Sequence, residues 1–264
     1  MITVTSRPAV QTMRPMGWGA SLCYFGGPAL LYIGGFYGLM PLFIAWGLPV
    51  YFAYCLGLLL PSILLVVASF VAVRQEGWAW TWSALCLRFR LHPLTGKQWL
   101  GVLGVFILAM GLGSVVIGGI VQQLILYGWI PLPPGLPLVL NPVVSPTPSL
   151  LFASIGGAAN ALLFLGVFTI LLVFNVVGEE LWWRGYILPR QELAFGRRTW
   201  WVHGMLWCLF HAFKYWQYPA LAIATLGIAL LATRTKNTTA SLAAHTCINA
   251  IALLPIVIGI LMSR

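Results

Sequence analysis

The sequence predicts an all-α fold, a polytopic bundle of about seven transmembrane helices with the N-terminus in the cytosol. Three observations carry that prediction. Runs of about 20 apolar residues, the length a helix needs to cross a bilayer, follow one another along most of the chain. Apolar residues fill 61% of the 264 positions and charged ones only 7%, far from the profile of a soluble domain. Lysine and arginine gather in alternate connecting segments, as the positive-inside bias requires.

Residues 1–16 are polar, with Arg7 and Arg14, and read as a flexible cytosolic tail. The apolar run that begins near Gly17 is too long for a signal-peptide core, and no small-residue cleavage pattern follows it, so it reads as a retained span. Span one is predicted over 18–46 and span two over 49–73, joined at Gly47-Leu48-Pro49. The segment 74–98 pairs Trp78, Trp80 and Trp82 with Arg88, Arg90 and Lys97, a composition suited to an elbow in the headgroup region. Span three, 99–130, carries Gly101, Gly104, Gly111, Gly113, Gly118 and Gly119, as close helix packing in lipid favours. Residues 131–149 are proline-rich and uncharged, and read as an extended external loop.

Span four follows over 151–188, with Pro189 as its stop, then a basic elbow at 191–198. Spans five to seven are expected at 199–217, 219–233 and 238–262. The organisation is thus a tail (1–16), N-terminal helices with their elbow (17–130), a loop (131–149) and a C-terminal helical core (150–264). Along the non-membrane segments Lys and Arg number two, none, four, none, three, one, two and one. The net charge of +10 therefore records membrane orientation, and nucleic acid is not an expected partner. The sequon at Asn237 then faces the cytosol and is expected to stay unglycosylated. The five cysteines form no CxxC pair and read as small apolar side chains.

Only four acidic residues exist, all glutamates: Glu76, Glu179, Glu180 and Glu192. Two of them stand side by side in Gly178-Glu179-Glu180-Leu181-Trp182-Trp183-Arg184, at the end of an apolar run that makes ionised groups costly. On a helix Glu180 and Arg184 are i,i+4 neighbours, while Glu179 points about 100° away. His211 closes Trp207-Cys208-Leu209-Phe210-His211, and His245 and Asn249 share one helix face. Measured from the cytosolic ends of their helices, Glu179, His211, His245 and Asn249 all lie roughly 10–18 Å deep at 1.5 Å per residue. His203, two turns before His211, reads as a packing or interfacial residue. Trp182, Trp183, Trp200 and Trp201 read as interface anchors.

Glu179-Glu180-x-x-x-Arg184, aromatic-x-x-x-His211 and His245-x-x-x-Asn249, in that order on successive apolar segments, resemble the CAAX-type (CPBP family) intramembrane endopeptidases. That family spans type II CAAX prenyl proteases and bacteriocin-processing relatives. The resemblance covers roughly 150–255, with Trp207 standing where the family usually has phenylalanine. It implies an integral, multi-pass membrane protease acting on a peptide or lipidated protein substrate within membrane lipids. The membrane would be the plasma membrane in a bacterium or the endoplasmic reticulum in a eukaryote. Glu179 would be the general base, since a low-dielectric pocket beside a second carboxylate strengthens a proton acceptor. Arg184 would hold Glu180, His211 would orient the attacking water, and His245 and Asn249 would donate to the oxyanion.

Glu179, His211 and His245 could instead hold zinc with water in the open position. The lack of an HExxH motif and the presence of Asn249 favour catalysis with no metal cofactor. Two other classes use the same residues: a catalytically silent scaffold or immunity protein, and a proton-coupled transporter. The transporter lacks the paired interrupted helices such proteins show.

Overall fold

The computed structural model describes residues 13–145, 147–254 and 257–258. Most of the predicted tail (1–12) and the far end of the predicted seventh span (259–262) lie outside the described residues. All regular structure among the described residues is helical. The long first helix, α1, runs Trp18–Ala45 with a π turn at Gly35–Leu39, and α2 runs Val50–Gln75. A short α3 (Trp82–Arg88) precedes α4 (Gly96–Leu126), whose middle, Leu108–Ile117, is π-helical. Then come α5 (Pro148–Ser154), α6 (Ala161–Glu179), a π segment (Glu180–Ile187) and α7 (Leu188–Phe195). After these come α8 (Thr199–Phe210), a 3₁₀ stretch (His211–Gln217), α9 (Tyr218–Thr235) and α10 (Thr238–Ala250), followed by a 3₁₀ turn (Ile251–Leu253).

Among the described residues four helical runs are long and apolar enough to cross a membrane: Trp18–Ala45, Val50–Gln75, Gly96–Leu126 and Ala158–Thr235. The last is not one rod, since its backbone leaves helical values at Gly196 (φ 55°) and at Lys214 (φ −133°). Leu30, Leu60, Val67, Leu100, Val115 and Leu162 point outward from these helices. Such an apolar girdle suits lipid and would be penalised by water.

Local chemistry sets the element ends. Thr95 and Gln98 close a capping box at the start of α4, so two orphan N–H groups are satisfied reciprocally. Asn237 caps α10 through Thr239 N, and its amide also donates to His92 O. The sequon asparagine is thus buried and consumed in holding two segments together. Pro189 does not end its helix as predicted. It lies inside a helical path that runs unbroken from α6 through the π segment to Phe195, and Gly185 O, four residues before it, accepts from Arg88 Nη1 in place of the missing N–H. The proline-rich loop likewise holds a 3₁₀ turn at Leu138–Leu140, and Pro148 opens α5.

The bundle packs mainly as α2 on α6, α8 on α9, and α9 on the π region of α4. Gly178 lets α2 approach: a Cβ there would meet Ser62 O at 2.7 Å and Leu65 Cβ at 3.2 Å. The predicted glycine stripe of span three does less than expected. Gly101 and Gly113 abut Leu231 and Ala220 of α9, whereas Gly104, Gly111 and Gly119 have nothing within 4 Å. Six glycines spread around a helix cannot all face one neighbour. Of the cysteines, Cys55 and Cys208 are buried but Cys23 and Cys247 are exposed; all five are free.

One end of the bundle is tied by two ion clusters. Glu76 pairs with Arg88 and Arg190, and Glu192 pairs with Arg90 and Lys236. Arg88 is therefore not a headgroup residue. It is buried, and its Nη1 donates to Gly185 O at 2.7 Å, tying the 74–98 elbow to the π segment. Trp80 and Trp82 of the same elbow are exposed.

Candidate active site

Glu179 is the last residue of α6, where the regular helix gives way to the π segment Glu180–Ile187. Such widened turns recur where a helix must aim side chains for function. The carboxylate is buried and collects three N–H donors. Asn175 Nδ2 donates to Oε1 at 2.7 Å, while Trp207 Nε1 (2.7 Å) and Trp183 Nε1 (3.3 Å) both donate to Oε2. Each carboxylate oxygen has two acceptor sites. Oε2 is thus saturated, and Oε1 keeps one site free.

Glu180 faces away from this group. Its Oε1 lies 2.9 Å from Arg184 Nη1 and accepts from His245 Nδ1 at 2.9 Å, with all three side chains buried. The Arg184 guanidinium sits off the angle for a hydrogen bond to Glu180 and stacks over the Trp207 ring, 3.5 Å from its centroid. Trp207 therefore takes a cation on its face and offers its edge N–H to Glu179. A carboxylate can only accept, so His245 carries its proton on Nδ1 and turns Nε2 towards Asn249 Nδ2 at 3.1 Å. Asn249 Nδ2 also lies 3.5 Å from Asn175 Oδ1, which closes a chain of contacts from α10 back to α6.

His211 stands at the junction of α8 and its 3₁₀ extension. Its Nδ1 is 2.9 Å from Trp207 O. A carbonyl also can only accept, so Nδ1 holds the proton and Nε2 is left as a bare acceptor. Glu179, His211, His245 and Asn249 line one cavity of about 280 Å³ together with Asn175 and Trp207. The remaining wall is largely apolar, including Leu58, Phe168, Leu171 and Phe213. Glu180 and Arg184 support it from behind. A carboxylate with a free acceptor site, an imidazole with a bare nitrogen and an amide donor thus share one space in which a water could be held.

His203 is elsewhere. It is fully buried between Gln191, whose Oε1 is 2.6 Å from Nδ1, and the edge of Phe25. The reading of Trp182 and Trp183 as interface anchors is corrected. Both are buried, Trp183 stacks on Phe25 at 4.3 Å, and its indole reaches Glu179. Asn175 was missed altogether. The available signal was its i,i+4 spacing to Glu179 inside an apolar run. For the zinc alternative, no group of three His, Cys, Asp or Glu side chains among the described residues is placed to hold a metal ion.

Residues 160–251 match the family model described as Type II CAAX prenyl endopeptidase Rce1-like. No curated protein matches the chain, and no solved structure does.

Proposed function

From the match of residues 160–251 to the type II CAAX prenyl endopeptidase Rce1-like model, we propose that this integral membrane protein is a CAAX-type (CPBP) endopeptidase that hydrolyses a peptide bond of a membrane-associated or lipidated substrate with water activated by Glu179. The observation that carries the reading is the free acceptor site on Glu179 Oε1, which faces the same cavity as the bare Nε2 of His211.

In this reading a water bridges His211 Nε2 and Glu179 Oε1. Oε1 takes its proton as the oxygen attacks the scissile carbonyl carbon. The oxyanion is met by Asn249, whose second amide N–H is spent only weakly on Asn175 Oδ1 at 3.5 Å. His245 Nε2 accepts the first N–H of that amide at 3.1 Å and so holds Asn249 in place. Glu179 then returns its proton to the departing nitrogen as the C–N bond breaks, leaving a carboxylic acid and an amine. Three donors on one carboxylate hold it in a single orientation, which is the contribution expected of positioning groups.

Glu179→Gln keeps the Trp207 and Trp183 acceptors but cannot take a proton. Comparing membrane proteomes with and without that substitution tests the proposal. Juxtamembrane or C-terminal cuts that vanish in Glu179→Gln and His211→Ala are the expected result. A phenotype that survives Glu179→Gln would mean a scaffold or immunity role and would sink the protease reading.

A further inference from the structure

Lys214 lines the same cavity as Glu179 and His211, in the 3₁₀ stretch that follows α8. Its Nζ donates to Tyr54 Oη at 2.6 Å and lies 4.9 Å from the Tyr54 ring centroid and 5.7 Å from that of Phe213. An ammonium has three N–H bonds, so two remain unspent. Among the described residues no carboxylate comes within ion-pair reach of it, and none is spare. Glu76 and Glu192 are held by the two arginine clusters, Glu180 by Arg184 and His245, and Glu179 by its three N–H donors. The sequence contains no aspartate and no fifth glutamate.

A cation on a cavity wall shared with Leu58, Phe168 and Leu171 is costly without a partner. Arg74, Lys97, Arg197 and Arg198 are exposed and need none. The counter-charge missing at Lys214 is therefore one that an occupant of the cavity would bring.

We propose that Lys214 is the receptor for the C-terminal carboxylate of a peptide, anchoring a free chain end in the cavity so that a bond slightly upstream reaches Glu179. The inference rests on the cavity being the substrate site proposed above. A carboxylate presents two oxygens to the two unspent N–H bonds, the apolar wall takes the last side chains, and about 280 Å³ suits a short extended end.

The test reads binding, not turnover. Full-length Glu179→Gln protein in nanodiscs is titrated with a fluorescein-labelled hexapeptide of alanine, valine and leucine. One form ends in a free acid and the other in an amide. The acid is expected to bind about tenfold or more tightly than the amide, the scale of one charge-assisted contact. Lys214→Met is expected to erase that ratio and Lys214→Arg to keep it. Equal affinities at the unaltered lysine, no binding of the acid, or a ratio that survives Lys214→Met overturns the proposal. If Lys214→Met does not fold, the ratio at the unaltered lysine decides alone.

Decanoate separates the two sources of a carboxylate. It is expected to displace the labelled peptide far less well than the unlabelled peptide acid does, and if it matches the peptide acid the occupant is an acyl chain and the peptide assignment fails. Because the readout needs no catalysis, its failure leaves hydrolysis at Glu179 untouched. An intact acid preference together with membrane-proteome cuts that survive Glu179→Gln would sink the protease reading alone.

Discussion

Replacing Trp207 with phenylalanine removes one indole N–H while leaving an aromatic face beneath Arg184. That N–H reaches Glu179 Oε2 at 2.7 Å, and with it gone only Trp183, at 3.3 Å, holds that oxygen. A hydrogen bond to a charged group is worth about 1.5–3 kcal/mol, and each ~1.4 kcal/mol is tenfold in rate. If the bond serves to hold the base in its working orientation, kcat/KM falls roughly 10- to 100-fold, and kcat carries more of the loss than KM. Cleavage of a quenched reporter peptide in nanodiscs measures both, with thermal unfolding followed in parallel. The variant should remain folded, because Trp207→Phe keeps most of the buried ring, whereas Trp207→Ala empties a site only 2% exposed. A kcat/KM within about twofold of the unaltered protein would refute the positioning role. So would a loss that disappears on cooling, which marks a purely structural effect.

Glu180→Gln and Arg184→Met each leave a buried partner uncompensated and are expected to cost about 3–5 kcal/mol in unfolding free energy. The double variant Glu180→Gln/Arg184→Met should regain part of that stability but not activity, as a double-mutant cycle in denaturant would show. Gly178→Val forces a Cβ to 2.7 Å from Ser62 O, so a lowered unfolding temperature and lost cleavage are expected together; an unchanged melting curve would refute the close-packing account. His203→Phe strips Gln191 Oε1 of its 2.6 Å partner, and a stability loss of about 1–3 kcal/mol with turnover per folded molecule unchanged is expected. A selective fall in kcat would bring His203 into the chemistry.

Helix rise alone was enough to put Glu179, His211, His245 and Asn249 at one depth, because 1.5 Å per residue is nearly invariant. Whether those four faced one another was not legible, since rotation about each helix depends on packing. Trp183 shows the limit. Tryptophan beside arginine reads as an interface anchor, and only the π segment, which shifts the phase of every side chain after Glu180, turns it inward to Phe25 and Glu179. Asn175 looked like one polar residue in an apolar run, and its two-sided contact with Glu179 and Tyr32 needs the third dimension. Trp207 reads in the sequence only as standing where the family usually has phenylalanine, because composition cannot say which way an indole N–H points. Pro189 misled for a different reason: the carbonyl it leaves free, Gly185 O, is taken by Arg88 from a segment about a hundred residues away, so the helix passes through it.

The two ion clusters have a consequence for how the molecule meets its surroundings. Glu76 and Glu192 are largely hidden inside them, at 15% and 12% side-chain exposure, while Arg74, Lys97, Arg197, Arg198 and Arg234 project outward. That rim bears one sign of charge with no acid at the surface to soften it. Phosphatidylserine-like or phosphatidylglycerol-like headgroups would collect around it, each basic side chain contributing about 1 kcal/mol, and raising salt would disperse them.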